Sequence, residues 1–231
     1  MPSKQEAAEQ SMKYAVDLVF CIDKTSSMVP LIRRVKENAL KFHEDLSARM
    51  EEMNKRIDEL RIRVVAFGDI YADGDDWLEE SDFFNLPDQI DEYKNFVTDI
   101  NAKGGGDDPE NGLEGLALSL QSDWTKGGDR RRHVIVVWTD TSAHKLERAI
   151  DEQPENYPKG MPKSFDELTD QWDSPEIDAS ARRLILFAPD EYPWSDIAAH
   201  WEEVVHFTSK GGDGLGEMDY SFIMNMLAHS I

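Results

Sequence analysis

The sequence predicts an α/β domain on a doubly wound, mostly parallel central sheet, with one short antiparallel edge strand and helices on both faces. Three observations predict it. Apolar runs of strand length recur at Val16 to Ile22, at Val134 to Trp138 and within RLILFAP, and such runs mark strands buried on both faces. Segments with apolar residues at three- and four-residue spacing alternate with them, as helices crossing over a parallel sheet do. Two of the runs stop abruptly at an acid, Asp23 and Asp140, and the carboxyl ends of strands in such a sheet are where ligand-binding groups collect.

In chain order, residues 1–13 form a leader expected to be frayed or weakly helical, and residues 14–231 a single domain. After the first strand, Leu31, Val35, Ala39, Phe42, Leu46 and Met50 predict one long helix. Ile62, Val64, Val65, Ala66 and Phe67 predict a second strand. GDIYADGDDW then reads as turn and loop and FFNL as a short edge strand, together a hairpin at one sheet edge. Ile90, Tyr93, Phe96, Val97 and Ile100 support a helix that stops before AKGGGDDPE, whose glycines and proline exclude regular structure. A helix from about Asn111 to Trp124 and the strand HVIVVWTD follow. Residues 151–181, proline-rich and polar around one short helix from Ser164 to Trp172, break the rhythm and read as an insertion or lid. RLILFAP is then a strand, SDIAAHWEE a helix with Ser195 as N-cap, VVHFTS a strand and MDYSFIMNMLAHSI a closing helix. This alternation is the Rossmann-like pattern.

Composition narrows the function classes. Of 231 residues, 40% are hydrophobic and 31% charged, enough apolar surface for a folded core. The 47 Asp and Glu against 25 Lys and Arg leave a net charge of -22, which repels phosphate backbones and anionic lipid surfaces. Neither nucleic acid nor a membrane is therefore expected as a partner. Cys21, the only cysteine, sits inside an apolar run, where a small buried thiol is expected rather than a reactive one. The leader carries acids and lacks an apolar centre, and no run approaches the ~20 apolar residues that span a bilayer. The expected location is cytoplasmic; the oligomeric state is not encoded in these patterns.

Three loops at strand ends carry oxygen ligands: Asp23, Thr25 and Ser27; then Asp107, Asp108 and Glu110; then Thr139, Asp140 and Thr141. In a parallel sheet these loops share one edge, so they can converge on a hard cation such as Mg²⁺, with Mn²⁺ or Ca²⁺ as alternatives. No cluster of His and Cys argues for zinc. The other reading of Asp23 is a helix N-cap, which explains neither Glu110 nor Asp140.

These residues resemble a von Willebrand factor type A domain carrying a metal-ion-dependent adhesion site, of the stand-alone bacterial cytosolic kind. The likeness runs from Val16 through the final helix, apart from the insertion. DKTSS matches the family's D-x-S-x-S motif, with Thr25 in place of the first serine and its hydroxyl retained. GGGDDPENGLEGL resembles the glycine-rich D-x-P-E loop of many bacterial members and of integrin beta subunits, and VIVVWTDTSAH resembles the family's strand ending in T-D. The resemblance implies that Thr25, Ser27 and Glu110 contact the ion while Asp23 and Asp140 act mainly through water. It further implies a binding module without catalysis, in which a Glu or Asp of a partner protein fills the open coordination position. The same likeness raises Asp107 as a ligand of a second cation, with a loop-capping role as the simpler reading.

The alternative is a Mg²⁺-dependent hydrolase or phosphatase using the same acids, with Lys24 as the one cation in the loop. Asp69 reads as a supporting acid or a turn former, and His144 as a loop histidine rather than a general base. His43, His133, His200, His206 and His229 are scattered without ligand spacing. KGGDGLGEMD lacks the Gly-Lys-Ser or Gly-Lys-Thr of a phosphate loop and reads as a turn. Trp172, Trp194 and Trp201 fit core packing or a recognition surface.

Overall fold

The computed structural model describes residues 12–105, 108–127, 130–212, 215 and 219–231; most of the leader and Asp107 lie outside the described residues. Strand β1 (Met12–Asp23) runs at the centre of the sheet, parallel to both β2 (Lys55–Phe67) and β5 (Arg131–Trp138). The parallel part continues through β6 (Arg182–Pro189) to β7 (Val204–Ser209). Beyond β2 lie β3 (Leu78–Glu80) and β4 (Phe84–Leu86), both antiparallel to it, so the order is β3-β2-β1-β5-β6-β7 with β4 also on β2. FFNL supplies β4, antiparallel to β2 as the sequence predicts, and β3 is a second short antiparallel piece on the same strand. Ser81 holds the join against β2, donating its N–H to the Val64 carbonyl at 2.9 Å and accepting from Val64 N–H on its hydroxyl at 3.0 Å.

Burial on both faces explains the uniform apolar runs. Val16, Leu18, Phe20 and Ile22 of β1 enter one core, Val19 and Cys21 the other, following the two-residue period of a strand. Against the first face pack α1 (Val29–Asn38), α2 (Phe42–Glu52), α4 (Ile90–Asp99) and α9 (Tyr220–Ser230), through Leu31, Leu46, Tyr93 and Leu227 among others. Against the second pack α5 (Gly112–Leu120), α7 (Phe165–Trp172) and α8 (Trp194–His200), through Leu116, Leu168 and Trp194. Two single-turn helices, α3 (Ile70–Asp73) and α6 (Arg148–Asp151), lie in the loops.

Several expectations need correction. The long first helix is two helices, because Ala39 N–H and Lys41 N–H bond three residues back, to Lys36 and Asn38, and Asn38 turns its amide onto the Arg34 carbonyl at 2.8 Å. GDIYADGDDW is not open loop but α3 followed by a 3-10 turn over Gly74–Trp77, with Asp69 capping Tyr71 N–H at 2.8 Å. The helix after Asn111 ends at Leu120 rather than Trp124. Ser195 does not cap α8: Trp194 precedes it inside the helix, and its hydroxyl donates to Asp190 at 2.8 Å.

Residues 151–181 are built into the second core. Leu168, Trp172 and Ile177 are buried there, and Trp172 stacks on Trp201 with ring centroids 5.3 Å apart at 13°. The three tryptophans singled out from the sequence are thus packing residues. Among the described residues no helix is long and apolar enough to cross a membrane.

Candidate functional site

Asp23 ends β1 fully buried, with both carboxylate oxygens engaged. Oδ1 accepts from Thr25 N–H at 2.8 Å and from Thr25 Oγ1 at 2.6 Å, and Oδ2 accepts from Thr139 Oγ1 at 2.8 Å. Asp23 thereby ties the loop after β1 to the loop after its neighbour β5. It caps neither helical segment that follows: Thr25 precedes the 3-10 turn Ser26–Met28 and Met28 precedes α1, neither with a side-chain cap. That turn presents Ser27, whose Oγ lies 3.4 Å from Thr25 Oγ1 and donates to Asp140 Oδ1 at 2.9 Å.

Glu110 reaches the same place from the loop before α5. Its segment forms a parallel bridge with Ala143, Glu110 N–H donating to Ser142 O at 3.2 Å and His144 N–H to Glu110 O at 2.8 Å. Gly105, with φ +72°, passes between two of the loops. A Cβ there would stand 2.8 Å from Glu110 Oε1 and 3.0 Å from Thr25 Cβ. Asp108 accepts from Thr141 Oγ1 at 2.7 Å. The loops enclose an open cleft of about 190 Å³ onto which Thr25, Ser27, Asp108, Glu110 and Asp140 face, and no residue of 151–181 covers it. The lid expected from that segment is not at this site.

The electrostatics are those of crowded acids. Glu110 Oε2 is buried with no hydrogen-bond partner. Burial first, then the Asp23, Asp69, Asp73 and Asp108 charges, push the Glu110 carboxyl up to about 9. Burial also pushes Asp23 up to about 6, against the hydrogen bonds from Thr25 and Thr139. Lys24 does not relieve the crowding, because its buried Nζ is turned to Glu79 Oε1 at 2.7 Å. Among the described residues no group of three or more His, Cys, Asp or Glu is placed to hold an ion unaided. The donors are mixed, two hydroxyls with carboxylates, a hard-oxygen set that fits Mg²⁺ or a related ion. A divalent charge there would offset the repulsion on Glu110.

Around this set stand residues whose part in the site pattern reading passed over. Asp73 accepts from Gly105 N–H at 3.2 and 3.3 Å and so latches the glycine-rich loop. Trp194 donates its indole N–H to Thr141 O at 2.8 Å, and Asn111 Oδ1 accepts from Ile70 N–H at 2.7 Å. Gly212, in the expected turn after β7, donates its N–H to Asp140 O at 2.9 Å. The one sequence signal for Asp73 is an acid four residues after Asp69 beside a glycine; the others have none. Asp69 turns away from the cleft to cap Tyr71. Burial opposes its ionisation, yet the His144 and Tyr71 N–H hydrogen bonds hold its carboxyl below the usual range. His144 is buried between Asp69 Oδ1, 3.5 Å from Nε2, and Arg148 Nη1, 2.9 Å from Nδ1.

No family model matches the chain. A relative in Dictyostelium discoideum, the alpha-protein kinase vwkA, is 30% identical over 159 residues, which is 67% of this chain and 23% of that protein. The chain thus spans less than a quarter of that relative's length. Among solved structures, the pilus adhesin SpaC from Lactobacillus rhamnosus GG is similar with a TM-score of 0.55 at 10% identity, over 94% of this chain and 30% of that one. The PilB minor pilin from Streptococcus sanguinis gives a TM-score of 0.53 at 12% identity, over 99% of this chain and 63% of that one. These chains share the fold of this one.

Proposed function

We propose that this chain is a von Willebrand factor type A-like, non-catalytic binding module of the cytoplasm, presenting Mg²⁺ to a Glu or Asp of a partner protein. The observation that carries the reading is Glu110 Oε2, buried and unpartnered under the charges of Asp23, Asp69, Asp73 and Asp108, on a residue that shares its cleft with Thr25 and Ser27. Thr25, Ser27 and Glu110 would hold the ion, while Asp23 orients Thr25 and Asp140 orients Ser27 through the bonds described. When bound, the ion supplies an open position for a carboxylate, and no covalent step is required. A likeness to pilus adhesins in fold, and to a kinase over 23% of its length, is in keeping with a module that works beside other domains.

Two placements support binding over hydrolysis. Lys24, the cation that a phosphate would need, is committed to Glu79, and His144 is clamped between Asp69 and Arg148 instead of facing the cleft. Calorimetric titration of Mg²⁺ and Mn²⁺ into the wild type, Ser27→Ala and Glu110→Gln tests the metal. Binding in the wild type that weakens at least tenfold in both variants is expected; equal binding in all three, or none in the wild type, refutes the reading. Turnover of an aryl phosphate that vanishes in Asp23→Ala would favour the hydrolase instead.

A further inference from the structure

We propose that the β7 edge of the sheet is a self-association surface, on which two copies of this chain pair β7 to β7, antiparallel about a twofold axis, into one continuous sheet. The two edges of the sheet are built differently. At one, β3 and β4 are three residues each and β3 carries Glu79 and Glu80, the short, charged form that keeps an edge from pairing. At the other, β7 runs six residues as VVHFTS, with no Asp, Glu, Lys, Arg or Pro, in unbroken register with β6 from Val204 to Ser209. Nothing in its sequence blunts it as an edge.

The free main-chain groups of that edge are identifiable. Leu184 N–H donates to Glu203 O at 3.0 Å, so Glu203 and, at the two-residue period of a strand, Val205, Phe207 and Ser209 turn their main-chain groups to β6. Val204, His206 and Thr208 therefore turn theirs outward, where they have no partner among the described residues. Apolar side chains are exposed beside them. Val205 is 46% exposed and Phe222 of α9 37%, two of the five exposed large hydrophobic side chains among the described residues, and the Phe222 ring meets that of Phe207 edge-on at 5.3 Å.

A twofold interface uses the same patch on both copies, so the patch must complement itself. Pairing centred on His206 exchanges hydrogen bonds between the two His206 residues and between Val204 of each copy and Thr208 of the other, which are the outward residues. Val205 of each copy then stands opposite Phe207 of the other in the closer, non-hydrogen-bonded kind of pair, beside that copy's Phe222. The exposed apolar side chains thus cover one another. The start of one strand lies beside the end of the other, which brings exposed Glu202 against exposed Lys210; neither is in an ion pair among the described residues, whereas Glu203 is already paired with Arg183 at 3.1 Å. A foreign strand would have to supply the apolar residue, the aromatic pair and both end charges that this chain presents around one edge. The net charge of -22 on each copy opposes association at low salt and is screened beyond about 8 Å at physiological salt. Antiparallel pairing points the carboxyl ends of the two sheets in opposite directions, so the dimer offers its two clefts at opposite ends and can bridge two partner molecules. That last consequence rests on the cation reading; the pairing itself does not.

Analytical ultracentrifugation of the full chain across micromolar concentrations, at physiological salt and in EDTA so that no divalent ion takes part, tests the pairing. Expected is a reversible monomer–dimer equilibrium that Val205→Lys and Thr208→Pro, the latter deleting an outward N–H, each weaken at least tenfold. Glu202→Lys and Lys210→Glu should each weaken it too, and the double variant Glu202→Lys/Lys210→Glu should recover the wild-type constant, because the swap restores the end charges. All four side chains are exposed, so thermal midpoints of dilute, monomeric samples are expected to match the wild type. Should Thr208→Pro unfold, Val205→Lys and the charge swap decide alone. A chain that stays monomeric, a dimer indifferent to Val205→Lys and Thr208→Pro, or a double reversal no tighter than either single one would each overturn the proposal. So would a monomeric chain that instead captures linear peptides from a displayed library in a Val205-dependent way, which assigns the edge to a foreign strand. Because the ion is excluded throughout, failure here leaves the cation reading standing.

Discussion

Trp194 donates its indole N–H to the main-chain carbonyl of Thr141 at 2.8 Å, and the far edge of the same ring leaves no room for a side chain at Gly112. One tryptophan thus fixes the loop after β5 and the start of α5, the two segments that bring Asp140 and Glu110 together. Trp194→Phe leaves the buried carbonyl without that donor, at an expected cost of about 1–3 kcal/mol. Gly112→Ala places a Cβ 2.7 Å from Trp194 Cζ2 and is expected to cost about 1–3 kcal/mol by overpacking. Cζ2 and Cη2 are absent from phenylalanine, so the alanine penalty should shrink in the Trp194→Phe background. Urea denaturation of the four proteins measures this, and an unchanged penalty would show that the clash is relieved elsewhere.

The ion pair of Lys24 and Glu79 predicts an asymmetry. Lys24 is 2% exposed and Glu79 34% exposed in their side chains, so removing the glutamate strands a buried cation, whereas removing the lysine leaves an acid that water can reach. Glu79→Ala is expected to cost roughly 2 kcal/mol and Lys24→Met less than about 1 kcal/mol. Equal costs in denaturant titrations would mean that Lys24 is solvated in solution.

The fold was legible where burial leaves a pattern. The carboxyl halves of β1 and β5, residues 18–22 and 134–138, are covered on both faces, which is why every residue in them is apolar and why the acids that follow stand out. β2 was half hidden: Lys55 to Arg61 are mostly charged, and they extend the strand through pairing with β1 rather than through an apolar signal of their own. The break between α1 and α2 was hidden because Ala39 and Phe42 stay buried across it and keep the helical stripe intact. At the candidate site, Asp23, Thr25, Ser27, Glu110 and Asp140 were readable as strand-end chemistry; Thr25, Ser27, Glu110 and Asp140 line one cleft, while Asp23 is fully buried and bonded to Thr25 and Thr139. Asp73 and Trp194 were not readable, since their partners are main-chain atoms of loops 32 and 53 residues away.

His133 sets a pH dependence at the opposite end of the sheet. Burial, the largest influence, holds the imidazole below its ordinary value of 6.5 against the charge of Asp17 and the hydrogen bond to Thr125 O. Its Nδ1 is buried without a partner, so the folded state has no acceptor for a second ring proton. The unfolded chain takes that proton near pH 6.5 and the folded chain only at lower pH. The stability contributed by neutral His133 is therefore present in full above about pH 6.5 and is lost as pH falls through and below it. Between pH 7.5 and 5.5 the wild type should lose more stability than His133→Gln, as read from urea midpoints; parallel profiles would remove His133 as the cause.

Gly105 and Gly74 separate backbone strain from crowding at the site. Both have positive φ, +72° and +58°, so alanine is strained at each by about 1 kcal/mol or more. A Cβ at Gly74 meets nothing within 4 Å, while one at Gly105 meets Glu110 Oε1 at 2.8 Å and Thr25 at 3.0 Å. Those neighbours belong to two different loops of the proposed cation set, and a methyl group between them must drive them apart. Gly74→Ala should therefore lose stability and keep its divalent-ion affinity, whereas Gly105→Ala should lose stability by a comparable or larger amount and bind Mg²⁺ at least tenfold more weakly. Calorimetry with Mg²⁺ beside thermal denaturation of both variants distinguishes the two effects. Equal affinities in Gly74→Ala and Gly105→Ala would mean that Thr25 and Glu110 do not share an ion across this glycine.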